Sequence, residues 1–210
     1  MKNLSALKNE LIFEYASGIS SLTKSFMAST YLFLNSEKKT EYSQYENYCG
    51  EELKQATKIQ PINLKPEDCF KEINNNKKNV FNSPINDFIK NLQNLKWNKV
   101  FTGFYEHSIK LSDKESAKLI KMDPGAKVPL HSHNGKEYIL VLEGSFNDEY
   151  GQYSKGDLQI NDFKIKHTPI ACKENGCICL TITEKDLVFY GPFSPILNIL
   201  TFIKTLIFKS

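Results

Sequence analysis

Gly125-Ala-Lys-Val-Pro-Leu-His131-Ser-His133-Asn-Gly-Lys-Glu137-Tyr-Ile-Leu-Val-Leu-Glu-Gly144 is the stretch whose reading decides the fold. His131 and His133 are one residue apart. On a strand, where side chains alternate, they share a face. Glu137 can return to that face on the same strand or just past a turn. Downstream, Gly156-Asp157 marks a turn, and His167 follows eleven residues after that glycine. An imidazole arriving there on a neighbouring strand would complete a pocket of three histidines and one carboxylate. Ligands of this kind suit Zn, Fe, Mn, Ni or Cu, with geometry and availability deciding among them. Three of the chain's four histidines fall in these places. A lone His on a strand is more often a packed or surface residue. The full spacing Gly-x5-His-x-His-x3-Glu-x6-Gly followed by Gly-x10-His favours metal.

Outward from this stretch, 210 residues can hold one ordinary domain and a small one. Hydrophobic residues at 40% and charged ones at 24% are those of a soluble globular chain. A formal charge of +3, without a basic stripe interleaved with aromatics, argues against direct nucleic-acid binding. The five cysteines, Cys49, Cys69, Cys172, Cys177 and Cys179, are odd in number and lack disulfide-framework spacing, which points to a reducing cytoplasm. Cys177 and Cys179 alternate as on a strand and are expected in the core, as small apolar residues. The N-terminus lacks the order of a signal peptide.

The period is helical in the first quarter of the chain. Leu7, Leu11, Phe13 and Tyr15 predict a helix from 7 to about 17, stopped by Gly18. Ser20 or Ser21 can cap a second helix running to Leu34, with Leu22, Phe26, Met27, Leu32 and Phe33 on a broad apolar face. A more polar third helix is predicted from Glu37 to Ala56. Three short helices with apolar stripes must either fold against the rest of the chain or offer apolar surface to a partner. Residues 57–96 read as a linker, broken by Pro61, Pro66 and Pro84. It contains one short helix from Pro66 to about Ile73 and another from Asn86 to Leu95. From Trp97 the period turns to two. Phe101, Phe104, Ile109, Leu119, Ile120, Val128, Leu130, Ile139, Val141 and Phe146 predict successive strands, completed by Leu158–Ile160, Cys177–Thr183 and Leu187–Tyr190. His107 is expected to be a non-ligand. Residues 194–210 predict an apolar helix too short to span a bilayer. A docked helix is preferred there over contact with a membrane surface. The expectation is an α+β multidomain chain, with a helical domain at 1–56, a linker at 57–96, a β domain at 97–193 and a terminal helix at 194–210.

The spacing around the histidines resembles the two cupin motifs. The first matches at Gly125, His131, His133, Glu137 and Gly144. The second matches at Gly156 and His167, while its usual proline, glycine and final asparagine are replaced by Asp162, Lys164 and Ala171. The resemblance implies a double-stranded β-helix (jelly-roll) barrel with its metal in the mouth, held by His131, His133, Glu137 and His167. A narrower resemblance, to the ChrR family of anti-sigma factors, rests on further stretches. They are Leu11-x3-Tyr15-Ala-Ser-Gly18, Ala28-Ser-Thr-Tyr31-Leu32, Val128-Pro129-Leu130-His131, Leu140-Val-Leu-Glu-Gly-Ser-Phe-Asn-Asp-Glu149, His167-Thr168-Pro169 and Cys177-Ile-Cys-Leu180. It implies an extracytoplasmic-function sigma factor as partner, oxidative stress as stimulus and zinc as the expected metal, with Fe, Mn or Ni as alternatives. Members of that family also hold a zinc in the helical domain through an early His and a His-x3-Cys-x2-Cys motif. Here those positions fall near Ala6 and on Tyr31, Asn35 and Lys38, so no zinc is expected in that domain.

Two functions follow. The first is a regulator that masks a sigma factor with residues 1–56 and senses through the metal-holding β domain, where Cys172, Cys177 and Cys179 are redox candidates only if exposed and acidic. The second is a metalloenzyme of the dioxygenase or isomerase type, using open metal positions. For it, only Tyr138 and Glu149 offer a further acid or base, and fold and metal do not by themselves establish catalysis. The regulator is preferred, because a helical domain is superfluous to so small an enzyme.

Overall fold

A computed structural model of the chain describes residues 4–56, 83–111, 116–192 and 194–195. The chain falls into two compact units, Met1–Leu95 and Lys96–Ser210. The short helix expected from Pro66 to Ile73 and nearly all of the terminal helix at 194–210 lie outside the described residues.

In the first unit, α1 spans Leu4–Ala16 and α2 spans Leu22–Leu34. Between them Gly18, at φ +72°, takes the left-handed turn that ends α1, and the Ile19 and Ser20 N–H groups return to the Glu14 carbonyl. Ser21 caps α2 by accepting from the Lys24 N–H at 3.4 Å. The buried side of α2 is Thr23, Met27, Ala28, Thr30, Tyr31 and Leu32, a broad face built on steps of three and four. Asn35 closes the helix, since both its backbone N–H and its Nδ2 donate to the Tyr31 carbonyl. A 3-10 turn at Ser36–Lys38 leads into α3, Lys39–Ala56. α1 is tied to α3 by two ring pairs, Phe13 with Tyr45 at 5.6 Å and Tyr15 with Tyr42 at 5.5 Å. It is tied to α2 by the Glu14–Lys24 ion pair at 3.1 Å.

α4 covers Ser83–Lys90 and is followed by a 3-10 turn at Leu92–Asn94. The helix expected from Asn86 thus begins three residues earlier. Pro84 sits in its first turn, where the missing N–H costs nothing, rather than breaking the chain before it. Asn91 ends it by donating Nδ2 to the Asp87 carbonyl at 2.7 Å. Phe88 of α4 packs on Phe26 of α2 at 5.6 Å, so this helix belongs with the first three.

The second unit is antiparallel throughout. Its strands are β1 (Asn98–Phe101), β2 (Phe104–Lys110), β3 (Ser116–Met122), β4 (His131–His133), β5 (Glu137–Asp148), β6 (Gly151–Ser154), β7 (Leu158–Asn161), β8 (Ile170–Ala171), β9 (Cys177–Thr183) and β10 (Leu187–Phe189). The main sheet runs β1-β2-β3-β9-β5-β6, and β4 pairs with β10. Val128 and Leu130, expected on a strand, instead lie in the irregular approach to β4.

β5 is the spine. Its first half pairs with β7 (Leu140 opposite Leu158) and β9 (Leu140 opposite Leu180), and its second half with β6 (Phe146 opposite Tyr153) and β8 (Phe146 opposite Ala171). The pairing with β9 carries a register shift between Val141 and Glu143 and continues beyond it to Gly144 opposite Cys177, a bulge that bends the strand. Gly144 follows at φ +67°, and a Cβ there would run into the Gly176 carbonyl oxygen. Inside lie Met122, Val128, Ile139, Val141, Phe146, Ala171, Cys177 and Cys179.

Candidate metal centre

The four residues singled out by spacing come together. One ligand atom from each of His131, His133, Glu137 and His167 lies within 4.8 Å of the others, and all four side chains are buried. β4 supplies the two histidines on one face. Ser132 turns the other way and meets the Tyr190 hydroxyl at 3.0 Å. β4 is held in place by β10, with His133 opposite Leu187 and His131 opposite Phe189. Glu137 opens β5, and Asn161 of β7 donates to its Oε2 at 3.2 Å. His167 lies on no strand. It is brought in by an isolated bridge to His131, with N–H to carbonyl bonds of 3.1 and 3.0 Å in the two directions.

The imidazole tautomers decide whether a cation fits. His131 Nδ1 is 2.9 Å from the Pro129 carbonyl, which can only accept, so Nδ1 carries the proton. His167 Nδ1 is 3.0 Å from the Asp148 carboxylate and donates to it in the same way. In the neutral rings both Nε2 atoms therefore present lone pairs, and they face one another at 3.1 Å. His133 Nε2 is 3.3 Å from His167 Nε2 and 2.9 Å from Glu137 Oε2. Converging lone pairs and a carboxylate repel unless a positive charge lies among them. A buried set of donors so arranged fits a divalent cation with three nitrogen ligands and one oxygen ligand.

The protonation equilibria carry the same imprint. Burial pushes His131 down to about 4, against the pull of Glu137. Burial opposes charge on His167 as well, but Asp148 and Glu137 outweigh it and hold the ring up to about 9. Burial would raise Glu137, yet bonds from His133 and His167 hold it well below the usual carboxylate range. Without a metal, one proton on His167 supplies the positive charge the cluster demands.

His107 is elsewhere, on β2, with Nδ1 2.9 Å from the Lys96 carbonyl and its ring against Trp97, as expected of a non-ligand. Tyr138 is buried on the strand face opposite to that of Glu137, and Glu149 is exposed, accepting from the Thr168 N–H at 2.8 Å. Cys177 and Cys179 lie in the core. The Cys177 thiol and burial raise Cys179 well above the usual thiol range, so it is a poor nucleophile in this conformation. Cys172 is half-buried and donates Sγ to Glu174 at 2.8 Å.

Spacing did not single out Asp148. Its side chain is wholly buried against His167. Asp148 lies eleven residues after Glu137, and an odd separation places it on the opposite face of an unbroken strand. The bulge after Val141 inverts that parity.

Three histidines and a glutamate converging among the strands of an antiparallel β unit, with this spacing, define a cupin. Residues 86–185 match the family model described as the ChrR Cupin-like domain. The anti-sigma-E factor ChrR of Cereibacter sphaeroides is 33% identical to this chain over 108 residues, 51% of each protein. The match thus spans about half the length of that curated relative. A crystal structure of Rhodobacter sphaeroides SigE in complex with the anti-sigma ChrR is similar at 25% identity and TM-score 0.67, covering 84% of this chain and 96% of that one.

Proposed function

We propose that this chain is an anti-sigma regulator. Its N-terminal helices, within residues 1–56, bind an extracytoplasmic-function sigma factor, and its cupin holds one metal ion through His131, His133, Glu137 and His167. The observation that carries this reading is the likeness to ChrR captured with SigE. It covers 84% of the chain, whereas the cupin unit, Lys96–Ser210, is little more than half of it. The likeness therefore extends into the helices. Those helices also keep apolar side chains in solvent: Phe13, Leu22 and Tyr48 are 37–60% exposed, and Ile19, in the turn between α1 and α2, is 71% exposed.

Zinc is the ion we expect, as a redox-inert cation satisfied by imidazole and carboxylate, and it would supply a fixed positive charge that locks the four side chains together. This chain's own residues orient the donors, exclude water and hold the ring protons on Nδ1. Oxidative stress is the stimulus we propose. It would act by changing the free-energy difference between sigma-bound and free forms through ligand or metal loss. We place the protein in the cytoplasm, a reading supported by free cysteines in the core. No described helix is long and apolar enough to cross a membrane.

The test is a pull-down of the purified chain from its native lysate, with partners identified by mass spectrometry and metal by elemental analysis. A sigma factor retained one-to-one, with about one zinc per chain, is the expected outcome. Retention of no sigma factor, with iron, manganese or nickel bound instead, would favour a cupin enzyme.

A further inference from the structure

We propose that Asp148 is the positioning residue of the metal centre, fixing the His167 tautomer and neutralising the ion's remaining charge from outside the ligand set. This rests on the metal-binding reading above.

The Asp148 carboxylate is fully engaged. Oδ1 accepts from the Tyr150 and Gly151 backbone N–H groups at 2.8 and 3.2 Å. Oδ2 accepts from Gln159 Nε2 at 2.7 Å and from His167 Nδ1 at 3.0 Å. The two residues that follow grip the same segment. Glu149 takes the Thr168 N–H at 2.8 Å, and the Tyr150 hydroxyl donates to the Lys166 carbonyl at 3.1 Å. Three consecutive residues, 148–150, thus clasp three consecutive residues, 166–168. His167 needs that clasp because it lies on no strand, and its one backbone pairing among the described residues is the isolated bridge to His131.

The three imidazoles are backed unequally. His167 has a carboxylate behind it and His131 a carbonyl. His133 Nδ1, also buried, has no hydrogen-bond partner among the described residues. A carboxylate behind an imidazole raises the basicity of the opposite nitrogen, so His167 Nε2 is the strongest of the three donors. Charge balance points the same way. A divalent cation with three neutral imidazoles and Glu137 leaves one positive charge in a buried site, and Asp148 supplies the missing negative one.

The experiment compares the full-length parent, D148N, and the double variant E149Q/Y150F. Zinc affinity is read by competition with a chromogenic chelator, and ring protonation by long-range 1H–15N NMR of the zinc-loaded protein. D148N keeps the shape but removes the charge, so its zinc affinity should fall about 10–100-fold. E149Q/Y150F, which loosens the clasp but leaves the carboxylate, should change it less. In the parent, His167 should carry its proton on Nδ1, strongly deshielded, and in D148N that signal should move while the His131 signal stays. An affinity of D148N within about twofold of the parent would overturn the proposal. So would a parent spectrum with the His167 proton on Nε2, a result that does not depend on D148N folding. Failure of the parent to bind any divalent ion stoichiometrically would instead sink the metal-binding reading, and this proposal with it.

Discussion

The two units of this chain are held together by different physics. Among the described residues of the helical unit there is no histidine, and Cys49 is the one thiol. Its helices are joined by ring pairs, the Glu14–Lys24 bridge and a narrow stripe of buried apolar side chains. The β unit buries three imidazoles and Glu137 at one place in a largely apolar interior. Burying such groups is costly unless something compensates, and here the compensation is a cation or a proton. The helical unit should therefore be indifferent to metal, and the β unit dependent on it. Any signal that works through metal has to originate among the strands.

The largest expected effect is on metal stoichiometry. Replacing His131 and His133 together by Ala should take bound metal from about one per chain to none. The helical far-ultraviolet signal should be retained. If the double variant bound as much as the parent, the ligand assignment would be wrong. Loss of helical signal would instead show that the two units do not differ as argued.

A second effect is a dependence on pH confined to the β unit. His167 is held up to about 9, above its ordinary 6.5. The stabilisation its proton provides is therefore complete below about pH 6.5 and lost as pH rises through 9. Metal needs the lone pair that this proton occupies, so its binding strengthens across the same window. The gap in Tm between metal-loaded and metal-free protein should widen from pH 6.5 to 9. Trp97, the chain's single tryptophan, belongs to the β unit, and its fluorescence can report that melting separately. A gap that stayed level with pH would remove His167 from the account.

The smallest effect belongs to the helices. Phe13 is 37% exposed and meets Tyr45 edge-on at 5.6 Å. Phe13→Ala should cost ~1–2 kcal/mol, short of the 3–5 expected for a fully buried Phe. Urea melts followed by circular dichroism would measure this, and metal content should not move. A loss of metal in this variant would show that the helices support the site.

Much of this was legible in the residues. The Ser21 cap and the Gly18 stop lie where turn chemistry predicts them, and β9 occupies the expected Cys177–Thr183. His131 and His133 share a face because side chains alternate along β4, and Glu137 follows just past a turn at the start of β5. Cys177 and Cys179 share one face of β9 by the same alternation, and they lie in the core as expected of small apolar residues. The start of α4 was misplaced because Pro84 can end one element or begin another, and only the packing of Phe88 on Phe26 decides which. Leu22, expected on the broad apolar face of α2, is 39% exposed, since a stripe wider than its partner leaves its edges in water.

By itself the sequence determined which residues could hold a metal, where the helical period gives way to the strand period, and that no histidine lies in the helical segments. These are local matters of period, turn chemistry and residue type. Only the tertiary structure decided that His167 docks on His131 by a single bridge, which ring nitrogens keep their protons, and that Asp148 stands behind the site. The reason is physical. Counting faces works along an unbroken strand, and one extra residue at the Val141–Glu143 bulge inverts the count for everything beyond it.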